Sequence, residues 1–325
     1  MISKTFLHKY KPIFLEDFYL GNELYDMLNL FIQINNINVL LIGNTSSGKT
    51  SILNAIIRKY YNLSQADYFP KSNILIVNNL KEQGIQYFRG EMKTFCQSKS
   101  TIFGKKKLLI IDDIDNVNDH CQQVFRNYID KYSSNINFIS TCTNSQKVIE
   151  SIQSRIHMLK INNISKSNTL SIIEKIISNE QISITDEAKQ YLIHVTNSSI
   201  RQIINYLEKF HILDYNIDLD TCKKLCSNIN IDDFEIYLKL VKSNDLIESY
   251  HYFNKLYDFG FSVLDILDYF FTFIKQTDMI NESEKYQIIP IICKYITIFH
   301  NVHENQIELA FFTKDLCKLF AENKI

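Results

Sequence analysis

The chain has 325 residues and a mass of 38.3 kDa, room for two or three domains at roughly 100–200 residues each. Apolar residues make up 46% and charged residues 22%, so a core can form and wholesale disorder is excluded. Thirty-five Lys and Arg face 36 Asp and Glu, which excludes a strongly basic nucleic-acid coat and leaves DNA contact to a local patch or to partner chains.

In chain order, residues 1–12 lack the apolar run of a secretory signal, and no later stretch approaches the ~18 apolar residues of a membrane span. Short runs rich in Ile, Leu and Val at Asn38–Ile42, Asn73–Val77, Leu108–Ile111, Asn137–Ser140 and His157–Ile161 predict strands. Helical periodicity at Lys49–Tyr60, Gly84–Gln97 and Asp119–Tyr132 separates most of them. Strand and helix in alternation predict a parallel sheet with helices on both faces, its ligands beyond the carboxyl ends of the strands. Three amphipathic helices follow at Lys166–Ser178, Thr185–Val195 and Ser199–Ile212. Cys222 and Cys226 are spaced C-x3-C with no second Cys or His pair nearby, and read as buried thiols rather than a zinc site. Further helices are expected at Phe234–Val241, Asp245–Tyr257, Val263–Phe273 and Glu304–Phe320, their aromatic residues forming core. The seven scattered cysteines fit reduced thiols in an intracellular protein. Only 7 Gly and 3 Pro occur, while residues with AT-rich codons abound, a genome bias that leaves glycine where only glycine serves.

Gly43-Asn44-Thr45-Ser46-Ser47-Gly48-Lys49-Thr50, with Ser51 after it, lies between a predicted strand and helix and matches G-x-x-x-x-G-K-[ST]. Its glycines let backbone N–H groups turn toward phosphates, Lys49 would reach the β- and γ-phosphates of ATP, and Thr50 would offer a hydroxyl to Mg²⁺. Downstream, Leu108–Ile111 ends in Asp112-Asp113, an apolar strand closing on acids. Asp112 would join the Mg²⁺ shell and Asp113 would polarise the attacking water. Lys105-Lys106-Lys107, before that strand, reads as a solvated loop.

The chain resembles the small subunits of the replication factor C clamp loader, among the AAA+ ATPases. The likeness rests on Lys9-Tyr10-Lys11-Pro12 with Gly21-Asn22, on Gly84-Ile85 with Arg89 and Lys93-Thr94-Phe95, and on His120 to Arg126. It rests also on Lys147-Val148-Ile149-Glu150-Ser151-Ile152-Gln153-Ser154-Arg155 and on Asn197 to Asn205 around Arg201. The resemblance implies a P-loop ATPase domain over residues 1–162, with a five-stranded parallel sheet. It implies a helical lid over 163–229 and an all-helical collar over 230–325. It also implies that Tyr10 and Pro12 lie against the adenine and that Arg155 is an arginine finger serving a neighbouring subunit's ATP. Arg201 would reach this chain's own γ-phosphate from the lid, and Thr143 would sense it, with Asn144 as the rival one register away. Arg89 and Lys93, four apart on one helix face, would meet the DNA backbone without reading its sequence.

The implied assembly is a hetero-pentamer of related subunits that loads a ring-shaped sliding clamp onto primer–template DNA, its ATPase stimulated by DNA, at intracellular replication sites. The chain departs from the family pattern in five places. Asp113 stands for Glu, Ser46 for a glycine, Asn44-Thr45 for Pro-Pro, Ser198-Ser199 for Gly-Asp, and Ile156 for Cys. The shorter Asp113 motivates an alternative, a structural subunit with negligible hydrolysis of its own that donates Arg155. A different AAA+ replication ATPase is the third reading.

Overall fold

The computed structural model describes residues 5–78, 85–196, 198–213, 215–226, 229, 231–277, 279–299 and 302–322. Two sequence-predicted positions, Gly84 and Asn197, lie outside the described residues. The chain divides into two compact units, Met1–Leu225 and Cys226–Ile325.

The first unit opens with α1 (Phe6–Lys9) and α2 (Asn22–Gln33), then β1 (Val39–Ile42) and α3 (Lys49–Tyr61). There follow β2 (Ile74–Asn78), α4 (Ile85–Arg89), α5 (Glu91–Gln97), β3 (Lys107–Asp112), α6 (Asp119–Tyr132) and β4 (Ile136–Cys142). After α7 (Glu150–Gln153) comes β5 (His157–Lys160). The strands form one parallel sheet in the order β2-β3-β4-β1-β5. Side chains alternate across it, as a pleated strand requires. Val39, Leu41, Leu108, Ile110 and Ile139 pack against α2 and α3 through Leu28, Ile52, Ile56 and Tyr60. Leu40, Leu109, Ile111 and Phe138 pack on the other face against Met92, Cys96, Phe125 and Ile129 of α5 and α6. Two buried amides fix the register of β1 and β4. Asn137 Oδ1 accepts from the Ile37 N–H at 3.1 Å, and Asn38 Oδ1 from the Phe138 N–H at 3.0 Å. The unit ends in four helices, α8 (Lys166–Glu180), α9 (Asp186–Val195), α10 (Ile200–Leu213) and α11 (Leu219–Leu225). Cys222 and Cys226 are buried, the Cys222 thiol 3.8 Å from the Ala188 carbonyl.

The second unit is helical: α12 (Ile231–Lys242), α13 (Leu246–Asp258), α14 (Val263–Gln276), α15 (Glu282–Ile298) and α16 (Ile307–Glu322). Its core stacks Tyr237 on Phe253 at 3.5 Å between ring centroids, with Phe270 edge-on to both and Phe312 parallel to Phe253. None of the described helices is long and apolar enough to cross a membrane.

Two expectations are corrected. The predicted helix Gly84–Gln97 is two helices meeting at Gly90, whose ψ of −83° breaks the helical path. Arg89 ends one and Lys93 lies in the next, so they do not share the face of a single helix, although both are exposed. The Lys105–Lys107 run is not a solvated loop. Lys107 is 2% exposed, and its ammonium donates to the Phe95 carbonyl at 2.9 Å and to Ser98 Oγ at 2.6 Å, closing the C-terminus of α5. Lys106 donates to the Ser133 carbonyl at 3.0 Å. Helix α15, within the stretch expected to be all-helical, contains Pro290. Proline ordinarily breaks a helix, but Pro290 is exposed, where water can take up the carbonyl it leaves without a donor.

Candidate functional site

The phosphate loop leaves the carboxyl end of β1 and enters α3. Gly43 donates its N–H to the Cys142 carbonyl at 3.2 Å, so the loop starts tied to β4. A Cβ on Gly43 would stand 2.7 Å from Ser47 Oγ and 3.1 Å from the Ile161 carbonyl, too close for any other residue. Gly48 turns into α3 at φ +87°, where L side chains are strained. Ser46, at a position where the resemblance expects glycine, holds φ +63°, and Ser198, at another such position, holds φ +60°. Both substitutions keep the left-handed backbone at a cost of about 1–2 kcal/mol each. Lys49 is 7% exposed, and its ammonium donates to the carbonyls of Gly43 at 2.9 Å and Asn44 at 3.0 Å, curling back over the loop. Asn44 and Thr45 are exposed, and Ser51 is half-buried in the first turn of α3.

Strand β4 separates β1 from β3, and Thr141 on it joins the two motifs. Thr50 Oγ1 donates to Asp112 Oδ2 at 3.0 Å, and Thr141 Oγ1 donates to Asp112 Oδ1 at 2.6 Å. The Asp113 N–H in turn donates to Thr141 Oγ1 at 2.9 Å. Asp112 is thus oriented by two hydroxyls, and Asp113 is pinned by its backbone in the left-handed region at φ +53°. Burial, and then the adjacent Asp112 carboxylate, push the Asp113 pKa up, while Lys49 draws it partly back. These residues fit a nucleotide carrying magnesium. The loop cannot accept a Cβ at Gly43, Ser47 Oγ is buried without a partner among the described residues, and the Thr50–Asp112 pair is a hard oxygen donor set.

Beyond β4, Asp115 gathers the loop that holds Thr143 and Asn144. Its Oδ2 accepts from the Thr143 hydroxyl at 2.5 Å and from the N–H groups of Thr143 and Asn144, each at 3.0 Å. Burial alone would push the Asp115 pKa up, but these donors outweigh it and hold the carboxyl below the usual range. The Thr143 hydroxyl is therefore engaged with Asp115. Asn144 Oδ1 caps the short turn Ser145–Lys147 by accepting from the Gln146 N–H at 2.9 Å.

Gln122 of α6, 1% exposed, ties the loop after the acids to the segment that leads to Arg155. Its Nε2 donates to the carbonyls of Val117 at 2.9 Å, Lys147 at 3.0 Å and Ile114 at 3.3 Å, and its Oε1 accepts from the Ile149 N–H at 2.9 Å. Arg155 follows α7 and precedes β5. His157 is level with Val39, so a rise of ~3.3 Å per residue puts Gly43 about 13 Å further along the sheet. Arg155 thus sits at the end of the sheet opposite this chain's own phosphate loop.

The opening segment spans the other side of the site. Tyr10 donates its hydroxyl to Glu180 at the end of α8, and Lys9 pairs with the same carboxylate at 2.6 Å. Burial, and then the Glu180 carboxylate, push the Tyr10 pKa up to about 12. The Phe6 N–H donates to Glu208 of α10 at 3.2 Å. Further on, Pro12 is half-buried, and the ring of Phe18 lies 3.8 Å from where a Gly48 Cβ would be. The segment therefore runs from α8 and α10 to the phosphate loop. Arg201 is exposed in the first turn of α10.

The motifs announced the phosphate loop and the acid pair. Thr141, Asp115, Gln122 and Phe18 were missed. Gln122 lies in the His120–Arg126 stretch that carries the resemblance but was given no role there; for the others the only signal is a polar residue inside a buried element, or an aromatic ring beside a loop.

Residues 35–170 match the family model described as an AAA domain. The chain is 27% identical over 288 residues to a probable replication factor C subunit 2 of Dictyostelium discoideum, covering 88% of this chain and 84% of that protein. It is 24% identical over 291 residues to a putative replication factor C small subunit of Acanthamoeba polyphaga mimivirus, covering 89% of each. A replication factor C small subunit of Methanocella arvoryzae is 26% identical, with 82% of each chain covered. Among solved structures, the Thermotoga maritima RuvB branch migration motor shares the fold with a TM-score of 0.53 at 18% identity, over 71% of this chain and 79% of that one. With a P-loop sheet of this strand order and an AAA domain over residues 35–170, the chain is similar along nearly its whole length to replication factor C small subunits.

Proposed function

We propose that this chain is the ATP-binding small subunit of a clamp loader, one of several related subunits that together open a ring-shaped sliding clamp and place it on primer–template DNA. One observation carries the reading beyond the kinship. The phosphate loop with its acids, and Arg155, occupy opposite ends of the same sheet. A chain built this way offers a nucleotide site at one end and a phosphate-seeking guanidinium at the other, which suits a ring or spiral of neighbours that complete each other's sites.

In this reading the loop N–H groups of residues 43–48 and Lys49 hold the phosphates, and Tyr10 and Pro12 border the adenine. Thr50 and Asp112 would hold Mg²⁺, which when bound neutralises charge on the phosphates. Asp113 orients and deprotonates the attacking water, its raised pKa suiting a base. Arg201 and the Thr143–Asn144 loop report the γ-phosphate from the lid (residues 163–229) and from the end of β4. Residues 230–325 serve as the collar. Arg89 and Lys93 meet DNA phosphates, a contact blind to sequence, and DNA stimulates turnover. ATP acts as a conformational ligand that favours the assembled state, and its hydrolysis releases clamp and DNA.

A second reading has its own support. Asp113 is one methylene shorter than Glu, and a misplacement of about 1 Å can cost about 100-fold in rate. A subunit that binds ATP, hydrolyses it slowly and donates Arg155 would look the same.

The test is the native mass of the tagged chain isolated with ATP present, with its partners identified. A five-subunit assembly of related ATPases carrying a ring clamp is expected. A homo-hexamer, or a monomer with unrelated partners, overturns the proposal.

A further inference from the structure

We infer that Asp130 is a positioning residue for Arg155, holding the guanidinium as a preset fork whose far end is kept for the phosphate of a neighbouring subunit. This rests on the reading of Arg155 as a finger.

The geometry is specific. Asp130 lies in the last turn of α6, and its Oδ1 accepts from Arg155 Nε at 2.6 Å. Arg155 Nη1 donates to the Ser151 carbonyl at 2.8 Å and lies 3.3 Å from Ser154 Oγ. These contacts occupy the Nε and Nη1 side of the planar group. They leave Nη2, with its two N–H groups, without a protein partner among the described residues. A guanidinium donates through five N–H groups in one rigid plane, so fixing one edge aims the other. Asp130 is itself held from behind. Its Oδ2 pairs at 3.3 Å with Arg126, one turn earlier on the same helix, and Arg126 is anchored through Nη1 to Asn127 Oδ1 at 3.0 Å. The carboxylate therefore cannot swing away with Arg155 without breaking a second ion pair.

The pair matters little to stability. Arg155 and Asp130 side chains are 30% and 43% exposed, the class of ion pair that adds little to folding. A guanidinium held through Nε by Asp130 and through Nη1 by the Ser151 carbonyl, and kept part-exposed, makes sense as preorganisation. A guanidinium already in place need not be ordered when the phosphate arrives.

The test uses the assembly this chain forms, with single and double variants and steady-state ATP turnover. Arg155→Ala is expected to lower turnover at the adjacent site by about 1000-fold or more, the scale of an arginine finger. Asp130→Asn is expected to lower kcat roughly tenfold with KM for ATP unchanged, as for a group misaimed only in the transition state. Asp130→Glu should recover most of that loss, and Asp130→Asn should add nothing once Arg155→Ala is present. If Arg155→Ala acts but Asp130→Asn leaves kcat unchanged, or adds a further fall in the double variant, the positioning role is overturned and the finger stands. If Arg155→Ala itself has no effect, the finger reading falls and the positioning role with it.

Discussion

Replacing Gln122 by Ala should loosen two loops that flank α6 in the sequence and meet at this side chain. The amide is 1% exposed and joins the carbonyls of Ile114, Val117 and Lys147 to its Nε2, and the N–H of Ile149 to its Oε1. Nε2 has only two hydrogens, so the three carbonyls share them and the longest contact, 3.3 Å to Ile114, is the weakest. About three effective hydrogen bonds at ~1 kcal/mol each, with the cavity left by the side chain, give a loss of roughly 3–5 kcal/mol. That is a large share of the 5–15 kcal/mol typical of a folded domain. The loss should be local as well as global. Hydrogen–deuterium exchange should rise in residues 113–118 and 145–155 well before the sheet strands exchange, because Gln122 is the only side chain described that bonds both loops. Gln122→Leu keeps much of the volume but still strands the Ile149 N–H, and should reproduce the exchange change with a smaller fall in the denaturation midpoint. Unchanged exchange at Ile149 in either variant would refute the reasoning, since it would mean that the backbone there is held by something other than the amide.

The remaining predictions concern the nucleotide site. Lys49→Ala should abolish measurable ATP binding by this chain in calorimetry, and retained affinity would sink the phosphate-loop assignment. Asp113→Glu separates the two functional readings: a large gain in turnover at this site favours the structural subunit, and no gain favours an Asp113 already competent as base. Asp113→Asn should raise the melting temperature at pH 7. An acid whose folded pKa lies above its unfolded value destabilises the fold once pH exceeds both, and has no such cost below the unfolded value near ~4. The gain should therefore shrink as pH falls through the acidic range, and a gain independent of pH would contradict it. Asp115 behaves in the opposite sense. Its depressed pKa contributes stability that is present at neutral pH and lost as pH falls through the folded value, so Asp115→Asn should flatten the acid limb of the melting curve.

How much of this was legible in the sequence follows from which residues carry a spacing. Gly43, Gly48, Lys49 and Thr50 sit in a fixed pattern because a loop that wraps phosphate has few backbone solutions, and the acids follow a strand because the sheet delivers them to the same end. The five strands were readable as short apolar runs; the inner strands β1, β3 and β4 are buried on both faces, while the edge strands β2 and β5 expose Ile76 and Met158. What could not be read is where neighbours in space are strangers in sequence. Thr141 looks like one more small residue of a buried strand. Only the insertion of β4 between β1 and β3 brings its hydroxyl within 2.6 Å of Asp112. The Lys105–Lys107 run looks solvated until α5 ends beside it and needs a cation to close its last carbonyls. Pro290 sits inside α15 without ending it, because its cost depends on whether the carbonyl one turn back faces water, a fact of tertiary placement.

Ser46 and Ser198, where the resemblance expects glycine, both hold the left-handed backbone that glycine adopts readily. A sequence comparison counts these as departures, whereas the folded chain treats them as strain that the surrounding contacts overcome. Asp113 belongs to the same class, with φ +53° and its N–H fixed on Thr141, so its backbone position is set independently of side-chain length. The consequence of having Asp there is therefore confined to the reach of one carboxylate. On the proposed reading, turnover of this chain's own ATP depends on that carboxylate's reach together with a neighbour's arginine, while ATP binding rests on residues the substitution does not touch.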